Sequence, residues 1–217
     1  MHSGMNAPAT LVIDTSGPHL QLALVRGGEV TTLVEPLATG HAEILFVRLA
    51  SFLKRNNLTY DDVSRIAVTT GPGSFTGLRI GISAARGLAL ALDIESAGIP
   101  NLFALSLMAP ATNKKPISVV LDARRSEAYA QRFSSPGQPL DNAVILPLAL
   151  AEKDYRTPDM YLMINPRLDI APVAEFAHRL NAGNLGHFPP VPTYIRAADA
   201  KPQTNKWIAL QGKASAK

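Results

Sequence analysis

The chain has 217 residues, 47% of them hydrophobic and 18% charged, enough to bury roughly 70% of its unfolded surface and too apolar for a disordered tail. A formal net charge of +4 and a pI near 9.5 suggest a nucleic-acid or membrane-surface binder. Four of the 21 basic residues, however, stand at Lys201, Lys206, Lys213 and Lys217 in an acid-free terminus, which leaves 17 basic against 17 acidic residues elsewhere. The absence of cysteine excludes disulfides, thiolate metal sites and cysteine nucleophiles, and fits a cytoplasmic protein.

Residues 1–9 lack the basic start and apolar stretch of a signal peptide; they are expected to be disordered, with Met5 the natural start. Leu11-Val12-Ile13 predicts a strand, Asp14 to Pro18 a turn, and Leu20 to Val25, apolar at alternate positions, a second strand. Gly27-Gly28 signals a hairpin into a third strand from Glu29 to Leu33. His41 to Asn56 reads as a helix with Lys54 and Arg55 in its last turn, where cations suit the dipole. On it Leu45, Phe46, Leu49, Ala50, Phe52 and Leu53 span an arc of about 160°, wider than the ~100° stripe of one packed face, and Ile44 and Val47 lie outside even that. This helix is predicted to touch two partners.

Arg65 to Thr70 predicts a strand, Gly71 to Thr76 a loop and Gly77 to Leu92 a helix. The row Gly77, Gly81, Ala85, Ala89 is entirely small, as is the neighbouring row Ser83, Gly87, Ala91, whereas Ile80, Ala84, Leu88 and Leu92 are mostly large. Each interior glycine costs about 1 kcal/mol against alanine. Close approach of a partner helix and close packing on the protein's own sheet both account for that cost. The longest apolar run, Ile80 to Leu92, is broken by Arg86 and falls short of the ~18 residues a membrane span needs.

A break follows at Gly98-Ile99-Pro100, then a predicted helix from Leu102 to Ala109 and a second break from Pro110 to Pro116. Ile117 to Leu121 and Ala128 to Phe133 predict strands around Asp122-Ala123-Arg124-Arg125-Ser126-Glu127. Asp14 and Asp122 thus each end an apolar strand before a turn and another strand, the trace of two duplicated α/β halves. Beyond Ser134 the pattern weakens, with a helix expected from Pro172 to Leu180 and an extended segment from Pro189 to Arg196. Trp207, with Ile208 and Leu210, reads as a docking peptide or, preferably, as part of a disordered end.

The run Gly71-Pro72-Gly73-Ser74-Phe75-Thr76-Gly77-Leu78-Arg79-Ile80-Gly81 leaves a strand and enters a helix, where backbone N–H groups can hold an anion. Its spacing fits neither nucleotide template. Gly77 is followed by Leu78-Arg79 rather than Lys-Ser/Thr, and Thr76 stands where a dinucleotide fingerprint has its third glycine. As a structural device it is coherent, because glycines open restricted dihedrals and Ser74 or Thr76 can cap the helix.

This run, with Ile13-Asp14-Thr15-Ser16, His41-Ala42-Glu43, the Asp122 to Tyr129 segment and Tyr194-Ile195-Arg196, resembles the bacterial TsaB (YeaZ) family over residues 10–133 and on to 196. Departures are His41-Ala42-Glu43 where the family has His-Ser-Glu, Phe46-Val47 where it has Leu-Pro, and Leu162 to Pro166 where it has a glycine-bearing segment. The resemblance implies an α/β fold of the actin/Hsp70/sugar-kinase (ASKHA) type, with subdomains at 10–105 and 106–200 and a basic tail at 201–217. It implies a non-catalytic dimerisation subunit that partners a TsaD-like paralogue and a TsaE-like ATPase in threonylcarbamoylating the adenosine beside the anticodon. ATP and metal are expected on those partners, with no cofactor or metal here, a homodimer in isolation, tRNA contacted only through the complex, and no membrane. The family's two-helix interface places partner contacts at Leu45, Leu49, Phe52, Gly77, Arg79, Gly81, Ile82, Ala85, Arg86 and Ala89.

The residues themselves argue against catalysis. None of the five histidines pairs with another at metal-ligand spacing on one helix. Asp14, Thr15 and Ser16 suit either a vestigial phosphate-holding loop or a capped turn; Arg124 and Arg125 suit a phosphate contact or a solvated turn with a salt bridge. Two rivals follow: a small ASKHA-type ATPase or phosphotransferase using the Asp14 loop, and direct tRNA capture by the lysine tail.

Overall fold

The computed structural model describes residues 7–37 and 40–195, apart from the side chain of His41. The terminal segments, with Arg196, the lysine tail and Trp207, lie outside the described residues. The chain begins with β1 (Ala9–Asp14), β2 (His19–Arg26), β3 (Glu29–Pro36) and α1 (His41–Arg55). A 3-10 turn at Tyr60–Asp62 leads into β4 (Val63–Thr69), α2 (Phe75–Leu92), β5 (Glu95–Ile99) and α3 (Asn101–Ser106). Then come β6 (Ile117–Arg124), β7 (Glu127–Ser135), β8 (Gln138–Pro139), β9 (Val144–Pro147), α4 (Leu148–Tyr155), β10 (Tyr161–Ile164), α5 (Ile170–Arg179) and α6 (Ala182–Leu185).

The first sheet has the order β3-β2-β1-β4-β5, with β1 antiparallel to β2 and parallel to β4. β1 is central and covered on both faces, so all its residues are buried and its sequence is a continuous apolar run ending in Asp14. α1 and α2 lie side by side on one face, where Leu11, Ile13, Leu20 and Leu22 meet Leu45, Leu49, Phe52, Leu78 and Ile82. On the other face Val12, Ala23 and Ala67 pack with Ile170, Val173 and Ala177 of α5.

The second sheet has the order β10-β6-β7-β8, and β9 also pairs with β7. Its run β6-β7-β9-α4-β10 repeats β1-β2-β3-α1-β4 in direction and order. The register repeats too: Val120 sits opposite Ile164 as Ile13 sits opposite Val68. After β10 the repeat stops. A five-residue link, Asn165 to Asp169, leads directly to α5. α3 packs on β6 and β7 while α5 packs on β1 and β2, so these two helices cross between the halves as counterparts. Among the described residues α2 and β5 have no equivalent in the second half. This doubled α/β architecture is the ASKHA-like fold.

Several expectations need correction. The break predicted at Gly98-Ile99 is the end of β5, and a Cβ on Gly98 would run into Thr70 and the Pro189 carbonyl. The glycine is there because the chain crosses it: Gly98 N donates to Phe188 O at 2.7 Å and Thr193 N to Thr70 O at 2.8 Å. The extended segment expected from Pro189 is therefore a strap tying the C-terminal region to the first sheet. β9, α4 and β10 were not predicted, being short and half exposed with little period. α2 starts at Phe75, and its 18 residues at mean hydropathy 1.2 are long and apolar enough, by length and composition, to cross a membrane. One face of it is nevertheless packed into the core.

Candidate functional site

The Asp14 turn and the glycine loop form one buried unit. Asp14 Oδ1 accepts from Ser16 N (2.9 Å), Ser16 Oγ (2.6 Å) and Thr69 Oγ1 (2.6 Å), and Oδ2 accepts from Gln21 Nε2 (2.9 Å). Four donors thus meet a group with about four lone-pair sites. Ser16 Oγ also accepts from Asn101 Nδ2 at 2.7 Å; Asn101 Oδ1 in turn accepts from Gly71 N at 2.9 Å. One carboxylate therefore links β1, β2, β4, the start of α3 and the glycine loop.

The glycines are explained by how close the loop comes to this turn. A Cβ on Gly73 would lie 2.6 Å from the Ser16 carbonyl oxygen, one on Gly77 would collide with the Thr15 carbonyl, and one on Gly81 with Thr15 Oγ1. The contacts are held by hydrogen bonds from Ser74 N to Ser16 O (2.7 Å) and from Thr15 Oγ1 to Gly77 O (2.7 Å). Ser74 also caps α2, its Oγ accepting from Gly77 N at 3.2 Å. Gly71 has φ 99°, a left-handed conformation that suits glycine, and precedes Pro72 through a cis peptide bond.

This geometry revises the expected contact residues. Leu45, Leu49, Phe52, Gly77, Gly81, Ile82, Ala85 and Ala89 are all buried in the protein's own core. The small row Gly77, Gly81, Ala85 faces the Asp14 turn and the sheet, so close packing on the own sheet is what its glycines serve. Arg79 and Arg86 are exposed.

The outer faces of α1 and α2 carry other residues. Phe46 (52% exposed), Val47 (59%) and Ala50 stand on α1, and Ser83, Gly87 and Leu90 (85% exposed) on α2. At the start of α2 the Arg79 guanidinium lies 3.9 Å from the Phe75 ring centroid, and Phe75 contacts Tyr194 of the strap at 6.4 Å between centroids. The signal for this face was present in the second small row, Ser83-Gly87-Ala91, and in Val47 falling outside the inner arc. α1 is braced to the sheet by a bidentate pair, Arg48 Nε to Glu35 Oε2 at 2.6 Å and Nη2 to Oε1 at 2.9 Å. The hydrogen bond from Arg48 holds the Glu35 carboxyl below its ordinary range.

The second hairpin differs from the first. Asp122 is exposed; its Oδ1 accepts from Arg124 N at 2.7 Å, and its own N–H donates to Asn165 Oδ1 at 2.6 Å. Arg124, Arg125 and Ser126 all have positive φ, from 54° to 61°. Among the described residues no three histidine or carboxylate side chains gather as a metal-binding group.

Residues 34–147 match the family model described as TsaD: tRNA N6-adenosine threonylcarbamoyltransferase. The tRNA threonylcarbamoyladenosine biosynthesis protein TsaB of Bacillus subtilis is 33% identical over 139 residues, 62% of this chain and 58% of that protein. TsaB of Haemophilus influenzae is 32% identical over 120 residues, 55% of this chain and 51% of the relative. The chain belongs to the TsaB (YeaZ) family. It spans little more than half the length of these TsaB relatives. An uncharacterized protein of Mycobacterium tuberculosis is 31% identical over 215 residues, 92% of this chain and 97% of its own length. YeaZ from Pseudomonas aeruginosa superposes with a TM-score of 0.72 at 21% identity, over 86% of this chain and 99% of that one, and so shares the TsaB fold.

Proposed function

We propose that this chain is a non-catalytic subunit in tRNA threonylcarbamoyladenosine biosynthesis, docking a TsaD-like catalytic paralogue and, with it, a TsaE-like ATPase. The observation that carries the reading is the pair of apolar outer faces on α1 and α2, side by side and topped by Phe46, Val47 and Leu90. Side chains of this size exposed together on neighbouring helices are the mark of a protein interface. Family membership supplies the pathway: the TsaB relatives are named for threonylcarbamoyladenosine biosynthesis. In isolation the same faces pair two copies of the chain. ATP and metal reside on the partner subunits, tRNA is met through the complex, and the work is done in the cytoplasm.

An ATPase centred on Asp14 is disfavoured by the state of that carboxylate, whose acceptors are taken by Ser16, Thr69 and Gln21. Three donors converge on Oδ1 and one on Oδ2, so the carboxylate is committed to holding the turn. Gel filtration with light scattering tests the docking reading, using the chain with the TsaD-like protein of the same source. Val47→Glu and Leu90→Glu are expected to abolish the complex while leaving the melting temperature of the chain alone nearly unchanged. Retained co-elution sinks the reading, and ATP turnover by the isolated chain that disappears in Asp14→Ala installs the rival.

A further inference from the structure

The repeat of the two halves breaks off at one place, and the break leaves a cleft. In the first half Ile13 and Val68, opposite one another on β1 and β4, are fully buried beneath α2. Their register equivalents are Val120 and Ile164, and Ile164 is 41% exposed. α4 stands where α1 stands, but among the described residues no helix lies beside it. The corresponding space is a cleft of about 450 Å³ over Val120, Leu162 and Ala151, open to solvent past Ile164. Its volume is within the range of ligand-binding pockets, and its floor continues the small core formed by β6, β7 and α4.

We propose that this cleft is the docking groove for a helix of a protein partner, one with a small-residue apolar face flanked by acidic side chains. The scaffold itself supplies the shape argument. The same strand pair in the same register accepts a helix in the first half, where small residues let it come close to the strands. Charge supplies the second argument. Arg124 and Arg125 of the hairpin and Arg156 at the end of α4 line the cleft with three guanidinium groups, against the two carboxylates of Asp122 and Glu152. The cleft lining therefore carries one net positive charge, which favours an acidic flank over a basic one.

Charge also disfavours two occupants this chain could offer. The terminus at residues 201–217 carries four lysines and no acid. The α2 helix of a second copy has Arg79 and Arg86 and no acidic residue. The groove lies on the second half, so it is separate from the α1–α2 face, and its test is independent of that reading.

Fluorescence anisotropy with the full chain provides the test. The probes are a labelled amphipathic helical peptide with an alanine–leucine face and glutamate flanks, its lysine-flanked twin, and ATP as a small anion. The glutamate peptide is expected to bind saturably, and the twin at least about tenfold more weakly, a difference of ~1.4 kcal/mol. Ile164→Glu and Arg156→Glu, both at exposed positions, each weaken the glutamate peptide by a similar factor with the melting temperature retained. Leu90→Glu leaves its affinity unchanged. Absence of saturable binding, equal binding of the two peptides, or indifference to both groove variants overturns the proposal. So does ATP that binds in an Arg156-dependent way and displaces the peptide, which marks a small-anion site instead.

Discussion

The two halves share a strand framework in matching register, yet one is closed and the other open. In the first, the turn after β1 is sealed: the Asp14 carboxylate satisfies four donors, and a helix with glycines at its contact points lies against the turn. In the second, the hairpin after β6 is exposed, its aspartate accepts from Arg124 two residues on, and among the described residues no helix covers it. Sheet topology alone therefore does not decide whether such a loop becomes core or surface. In the first half the turn is sealed because the residues after the parallel strand β4 are small enough for backbone to touch backbone.

The largest effect expected in a test of this contrast is that of Gly77→Val, which forces a side chain into the Thr15 carbonyl. It should cost about 3 kcal/mol or more in urea unfolding, at the top of the range for overpacking. Next is Asp14→Asn, which presents an amide to donors that need an acceptor and should cost about 2–3 kcal/mol. The same change at the open hairpin's own aspartate, Asp122→Asn, one position beyond the register equivalent of Asp14, should stay within about 0.5 kcal/mol. Equal losses at the two aspartates would break the comparison. A narrower version sets Val68→Ala, expected to lose about 2 kcal/mol, against Ile164→Ala, expected to lose less than about 1 kcal/mol because much of that side chain is already wet.

The smallest effect concerns pH. Glu35 is held below its ordinary range mainly by its hydrogen bond with Arg48, so its ionised form is favoured by folding. That stabilisation is present above the ordinary carboxylate range and is lost as pH falls through the lowered value. Thermal melts of Glu35→Gln should fall slightly below the parent at neutral pH and converge with it in acid. Divergence toward acid would contradict the pairing.

Much of the closed half was legible in the sequence because its signals are local. The glycine run, the apolar strand ending in Asp14 and the cationic end of α1 each announce an element within a few residues. Which way α2 faced was not legible. Periodicity shows that Gly77, Gly81 and Ala85 share a row and that Ser83 and Gly87 share another, but both are small, and only contact with Thr15 distinguishes inner from outer. The open half was harder for a different reason. β9 and β10 are four residues each and α4 eight, too short for a period to emerge. The residues that would complete their burial are absent from the described chain.

The crossing of α3 and α5 bears on how the chain is made. β1 emerges from the ribosome well before α5, yet the apolar face carrying Val12 and Ala23 is covered by that helix, which ends at Arg179. That face stays uncovered until α5 has been synthesised. Contacts of such long sequence separation slow folding, and a nascent sheet waiting for its last helix is a natural client for a chaperone. Separate expression of residues 10–105 should accordingly yield aggregate, and adding the second half in trans should recover soluble protein only if both are present before the first collapses.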